Sequence, residues 1–369
     1  MDVDEPNKTS VQREPAERKF AAELDRLIDA DDADKPKGWE LSPRSVRKFI
    51  LGDKKLDVTQ KFFGDDPLVD RCIVSLMGQQ GLMLVGDPGT AKSLLSELLS
   101  AAISGDSNLV VQGSAGILED HLRYGWNYAL LLAEGPSEKA LVPSPVMTAM
   151  RGGKVARLEE LTRCAPEVQD AMISLLSEKT VSIPELGPGA EVRAAPGFNV
   201  IGTANLRDRG VHDMSSALKR RFNFETVQPI ADADFEKTLV AQQVRERMED
   251  HPKASPIDDD VVELLVSVFR DLRTGVTKEG ATVASPNSVM STAEAVNVGH
   301  AASLDALYLD GAKVSPAHVA RQIKGIVFKD DPEDARRFRA YVEQIAKPRM
   351  KRSKPWSAFY KAAKKDLDG

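Results

Sequence analysis

A chain of 369 residues with 42% hydrophobic and 29% charged residues has the composition of a soluble globular protein with room for about two domains. Its net charge of −6 removes any general electrostatic attraction to nucleic acid or an anionic membrane, and two cysteines, Cys72 and Cys164, are too few for a disulfide framework. No apolar run reaches the ~18 residues of a membrane span and the first residues lack a signal-peptide core, so the expectation is a cytoplasmic protein with no membrane insertion and no nucleic-acid partner.

Residues 1–45 mix charge and proline around one amphipathic stretch, KFAAELDRLIDA, and read as an arm that is mobile or docks on a partner. From KKLDVTQKFF onward, strand-like runs alternate with helical patterns: GLMLV, NLVVQ, KVARL, FNVIGTA and TVQPI. That alternation predicts an α/β domain over 46–229, a parallel sheet between helices. Over 230–330 the strands stop, and DFEKTLVAQQVRERME, DDDVVELLVSVFRDL, SPNSVMSTAEAVNVGHA and SPAHVARQIKGIVF predict an all-α lid domain. Ser285-Pro286 and Ser315-Pro316 read as N-caps with proline in the first turn. Residues 331–369 are expected to add one more helix and a basic tail, with Trp356, Phe359 and Tyr360 docked on the lid.

The chemistry begins at GDPGTAKS, residues 86–93, between the apolar run GLMLV and the helical pattern SLLSELLSAAISG. In a phosphate-binding loop, successive backbone N–H groups face the anion and the next helix starts at the phosphates. Gly86, Asp87, Pro88, Gly89, Thr90, Ala91, Lys92, Ser93 and Leu94 fit that path, with Lys92 aimed at the terminal phosphates and the Ser93 hydroxyl at Mg²⁺. Ala91 stands where the common pattern has its second glycine, and its methyl is expected to be tolerated as the chain enters the helix.

A nucleotide hydrolase also needs carboxylates, one at the metal and one to activate water. Glu159 and Glu160 end the strand in GGKVARLEELTRC, before the helical pattern APEVQDAMISLLSEK. Asn205 ends the strand in GFNVIGTANLRDRG, where an amide can orient the attacking water. Arg220 and Arg221 in SSALKRRFNFETV precede a further strand, and one of the two can serve a neighbouring subunit as an arginine finger.

With these elements in this order, residues 58–325 resemble the AAA+ ATPases of the MoxR type. GDPGTAKS fits that family's loop, EELTRCAPEVQ its Walker B region, Asn205 its sensor 1, and ALKRRF its arginine-finger segment. The resemblance implies a P-loop NTPase core followed by a helical lid, with ATP and Mg²⁺ as cofactors. It also implies two insertions, one within GSAGILEDHLRYGWNYALLLAEGPSEKALVPS and a hairpin in TVSIPELGPGAEVRAAP. Two positions depart from the family. Glu159 replaces the Walker B aspartate, and Asn287 stands where the sensor 2 arginine belongs, with Arg163 or a neighbour's arginine as the substitute.

The resulting expectation is an ATP-driven homo-oligomer, taken as a hexameric ring, that remodels partner proteins. A protein substrate or a von Willebrand factor A domain protein is the partner that the resemblance implies. Lys92, Glu160, Asn205 and Arg221 carry catalysis, with Ser93 and Glu159 on the metal. A weakly hydrolysing ATP-dependent scaffold and a chelatase-type motor subunit are the alternatives.

Overall fold

The computed structural model describes residues 13–205, 212–288, 290–325 and 331–368. The chain divides into two compact units, one of residues up to Gly86 and from Ala91 to Val227, the other of Asp87–Thr90 and the residues from Gln228 onward.

Strands of the first unit are β1 (Gly81–Val85), β2 (Val110–Gln112), β3 (Tyr124–Trp126), β4 (Leu141–Pro143), β5 (Val155–Glu159), β6 (Thr180–Ser182), β7 (Glu191–Arg193), β8 (Asn199–Ala204) and β9 (Phe222–Thr226). Five of them form a parallel sheet in the order β2-β5-β8-β1-β9. β1, β5 and β8 are buried at every position, as a parallel sheet covered on both faces requires. Side chains alternate across the sheet. Leu82 and Leu84 join Phe49, Ile73 and Leu98 on one side, while Met83 and Val85 join Met147, Met172 and Leu175 on the other. The P-loop NTPase core expected from the motifs is therefore present.

The last strand differs from the expectation. It is FNFET, not TVQPI, because the register Gly81↔Phe222 to Val85↔Thr226 exhausts β1 before Val227. The implied insertions occupy two antiparallel pairs: β3 with β4, enclosing the helix Tyr128–Glu134, and β6 with β7.

Residues from Arg13 onward are folded onto this chain's own core, in place of the mobile or partner-docking arm that was expected; residues 1–12 lie outside the described residues. Leu24 and Leu27, the apolar stripe of the helix Ala21–Asp29, share a cluster with Leu82 and Leu95, as do Trp39 and Leu41. Polar contacts pin the segment down. Ala16 N–H donates to Glu97 Oε1 at 3.1 Å, Arg13 donates to Glu97 Oε2 at 2.5 Å, and Lys61 Nζ donates to Glu23 Oε2 at 2.5 Å.

The second unit is helical: Ala233–Arg247, Asp259–Thr274, Thr292–Asp305, Pro316–Ile323, Pro332–Tyr341, Lys347–Met350 and Lys354–Asp368. Ser315-Pro316 opens its helix, whose expected end in residues 326–328 lies outside the described residues, but Ser285-Pro286 does not open one. The helix Thr292–Asp305 starts at Ser291, where a capping box has Ser291 Oγ accepting from Glu294 N–H at 3.2 Å and Glu294 Oε2 accepting from Ser291 N–H at 3.0 Å. Residues 331–368 hold the helices Pro332–Tyr341, Lys347–Met350 and Lys354–Asp368 in place of one helix and a basic tail, and Trp356, Phe359 and Tyr360 dock as expected. Phe338, Tyr341, Phe359 and Tyr360 are buried in the same cluster as Val240, Leu265 and Phe269. Arg349 stacks on Trp356 at 4.6 Å from the ring centroid and donates to Asp271 at 2.7 Å, beside the Tyr341 hydroxyl, which donates to Asp271 at 2.9 Å.

Candidate functional site

In an open parallel sheet, ligands bind beyond the carboxyl ends of the strands, next to the strand where the order reverses. β1 is that strand, with β8 on one side and β9 on the other. The C-terminal ends of the neighbours β5, β8 and β1 carry, in turn, Glu159 and Glu160, then Asn205, then Gly86. Sequence positions far apart thus meet on one edge of the sheet.

Between Val85 and Lys92 the backbone turns through left-handed residues. Gly86 has φ 154°, Gly89 φ 75° and Ala91 φ 66°. The two glycines take such values freely, whereas Ala91 does not. Its left-handed conformation, at the N-cap of the helix Lys92–Ser104, makes the methyl a source of strain of about 1–2 kcal/mol, not the neutral change the sequence suggested. Within the loop, Thr90 Oγ1 donates to Asp87 O at 2.9 Å, and the buried Lys92 donates from Nζ to Gly86 O at 3.1 Å.

The Glu159 carboxylate accepts four side-chain hydrogen bonds. Ser93 Oγ donates to its Oε2 at 2.6 Å and Thr203 Oγ1 to the same oxygen at 2.8 Å; Ser96 Oγ and Arg157 donate to Oε1 at 2.6 and 2.9 Å. Burial pushes its carboxyl up, but the hydroxyls of Ser93 and Ser96, the Arg157 guanidinium and Thr203 together hold it below the usual glutamate range. An ionised carboxylate touching a hydroxyl is a hard-oxygen pair that suits Mg²⁺, so the donor set fits the metal that the resemblance implies.

Glu160 follows in a left-handed conformation, φ 53° and ψ 45°, with its N–H donating to Thr203 Oγ1 at 2.9 Å. Strain of this kind gathers at functional sites. The Glu160 carboxylate is partly exposed and pairs with Arg163, one turn along. Asn205, just past β8, is half-buried.

Arg220 and Arg221 do not join this edge. Gly81 N–H donates to Arg221 O at 2.9 Å, which fixes the pair at the opposite, N-terminal end of β1. Arg221 is half-buried and donates to Ser177 Oγ and Ala217 O, each at 2.5 Å, while Arg220 is exposed. A cavity of about 360 Å³ opens there, lined by Gln79, Gln80, Lys179, Arg220 and Arg221 among others, with no acidic side chain.

Residues 81–222 match the AAA domain of the dynein-related subfamily, and residues 234–365 match the YehL-like AAA+ ATPase C-terminal domain. YehL of Escherichia coli K12 is 46% identical over 358 residues, 97% of this chain and 98% of its own. The chain belongs to the YehL-like AAA+ ATPases. The MoxR-type resemblance drawn from the motifs stands with that assignment. A Staphylococcus haemolyticus protein, SH1500, is 29% identical over 201 residues, 54% of this chain and 71% of its own. Among solved structures, NtrX of Brucella abortus in complex with ADP is similar at 14% identity and a TM-score of 0.45, over 73% of this chain and 56% of that one. No helix among the described residues is long and apolar enough to cross a membrane.

Three residues of this YehL-like site were missed in the sequence: Arg157, Ser96 and Thr203. The signal for Arg157 was present, a charged residue inside the strand run KVARL. In the helical unit, the Arg337 guanidinium donates to Asn287 Oδ1 and to Ser285 O, both at 2.8 Å, and pairs with Glu333 and Asp334 at 3.7 and 3.9 Å.

Proposed function

We propose that this chain binds ATP with Mg²⁺ and hydrolyses it to ADP and phosphate, working in the cytoplasm as a ring-forming remodeller of partner proteins. The observation that carries the reading is the 2.6 Å hydrogen bond from Ser93 Oγ to Glu159 Oε2, which joins the loop hydroxyl to the β5 carboxylate. The N–H groups from Gly86 to Leu94 and the Lys92 ammonium bind the triphosphate. Ser93 and Glu159 hold Mg²⁺, which when bound neutralises charge on the phosphate oxygens. Glu160 accepts the proton of the water that attacks the terminal phosphorus, and Asn205 orients that water.

Arg221 acts on the nucleotide of a neighbouring copy. β1 has five residues, so Gly81, bonded to Arg221, and Gly86, where the loop begins, stand roughly 16 Å apart at ~3.3 Å per residue. That separation supports action in trans, and with it a closed ring, taken as a hexamer, as the working form. A protein substrate or a von Willebrand factor A domain protein is the partner.

Steady-state phosphate release and calorimetric ATP titration test the reading. Lys92→Ala is expected to lose ATP binding, and Glu160→Gln to bind ATP near normally while releasing phosphate far more slowly. ATP affinity unchanged in folded Lys92→Ala, or wild-type turnover in Glu160→Gln, refutes the assignment. A second reading, an ATP-dependent scaffold that assembles but turns over little, is favoured by the pairing of Glu160 with Arg163. Wild-type phosphate release no faster than that of Glu160→Gln, with ATP still bound, would select it.

A further inference from the structure

Arg157 and Glu159 lie two residues apart on β5 and therefore on the same face of the strand. The Arg157 side chain is 9% exposed, and all three of its nitrogens donate: Nε to Ser96 Oγ at 2.9 Å, one terminal nitrogen to Ser107 O at 2.9 Å, the other to Ser93 O at 3.1 Å and to Glu159 Oε1 at 2.9 Å. A guanidinium does not lose its proton in a protein, so this is a permanent positive charge. A carboxylate offers about four lone-pair sites. In Glu159, Ser93 and Thr203 fill the two on Oε2, and Ser96 and Arg157 the two on Oε1.

Resting on the reading of Ser93 and Glu159 as the metal side of an ATP site, we propose that Arg157 is a resident counter-charge for Glu159, a positioning residue that sets how much Mg²⁺ the site requires. Two consequences follow from the charges alone. A divalent cation that displaces the Ser93 hydrogen bond from Oε2 shares one carboxylate with the guanidinium at Oε1, and their repulsion lowers the affinity for Mg²⁺. Without the metal, the guanidinium cancels the negative charge that would otherwise repel an incoming polyphosphate. The site thus accepts nucleotide before Mg²⁺, and Arg157 buffers the order of their arrival.

The test is binding of a fluorescent ADP analogue to the full chain, as wild type, Arg157→Gln and Arg157→Lys, over a Mg²⁺ titration and in EDTA. Arg157→Gln removes the charge and keeps a hydrogen-bonding side chain; it is expected to lower the half-saturating Mg²⁺ concentration by about threefold or more and to weaken binding in EDTA. Arg157→Lys keeps the charge and loses the fork, and is expected to lie closer to wild type than Arg157→Gln on both counts. A higher Mg²⁺ requirement in both variants means that Arg157 only scaffolds the site, and the proposal falls. The wild type supplies an independent check should Arg157→Gln not fold. Its affinity in EDTA is expected within about tenfold of that in Mg²⁺, and a loss beyond about a hundredfold overturns the proposal. Failure of the wild type to bind the analogue even at saturating Mg²⁺ is a different result, one that removes the ATP site itself and this proposal with it.

Discussion

If Arg221 serves a neighbouring copy, Arg221→Ala leaves each subunit with an intact loop and no finger, while Lys92→Ala leaves an intact finger and no working loop. Neither variant alone turns over. In a ring, each interface joins the loop of one subunit to the finger of the next. In an equal mixture, a loop from an Arg221→Ala subunit meets a finger from a Lys92→Ala subunit with probability one half times one half, so phosphate release per subunit is expected to recover to about one quarter of wild type. No recovery can come from within one subunit, since neither variant carries both parts, and the ~16 Å between the two ends of β1 is why an intact subunit does not serve itself. The assay is phosphate release against mixing ratio and against total concentration, with size measured in parallel. Arg220→Ala runs as the second arm; whichever arginine shows loss alone and recovery on mixing is the finger. Activity per subunit that stays constant down to a demonstrated monomer, together with no recovery on mixing, refutes the trans arrangement and leaves the pair as surface charge.

Ala91→Gly is expected to raise stability by about 0.5–1 kcal/mol, the left-handed strain relieved less the extra entropy of glycine, without loss of ATP binding; a destabilised variant in thermal melting contradicts the φ of 66°. Leu27→Ala removes a fully buried side chain from the N-terminal segment and is expected to cost about 2–5 kcal/mol in urea unfolding. A cost near zero would show that the segment is not packed as described. The depressed Glu159 carboxyl makes its bonds a source of stability that is fully present above the ordinary value of 4.5 and is lost as pH falls through the lower folded value. Glu159→Gln therefore flattens the acid limb of a stability-against-pH curve, and an unchanged limb would show that the carboxylate is not held ionised by its four donors.

The edge that gathers the loop, the two glutamates and Asn205 was legible because its signals are local. A loop of glycines with Lys-Ser, and two strands ending in carboxylates and an amide, are contiguous patterns whose meeting point follows from parallel order alone. What stayed hidden depends on distant partners. Arg157 finds Ser96 and Ser107, 61 and 50 residues away, and nothing adjacent to it announces them. Arg349 reads as part of a basic tail until Asp271, 78 residues away, turns it into a buried link. The segment from Arg13 looked like an arm because its apolar stripe is short, and the surface that covers it is assembled from β1 and the helix Lys92–Ser104. β9 was placed too late because it is an edge strand, buried only at Phe222 and partly at Asn223 and Glu225 within the strand, so it lacks the continuous apolar run that marked β1 and β8.

The sheet order has a consequence for how this protein is made. β1 leaves the ribosome before every other strand of the sheet, yet both strands that flank it, β8 and β9, are encoded far downstream. At roughly 5–20 residues per second, translation from Gly86 to Thr226 takes on the order of ten seconds. Through that interval GLMLV has two bare edges and two apolar faces, the kind of template that pairs with another nascent chain. The segment from Arg13 to Phe62 is already synthesised when β1 emerges, and its buried side chains belong to the cluster that covers one face of the strand. An N-terminal segment that docks first shields half of the exposed strand while the chain waits for its partners, which gives this region a use in the nascent protein separate from any it has in the finished one.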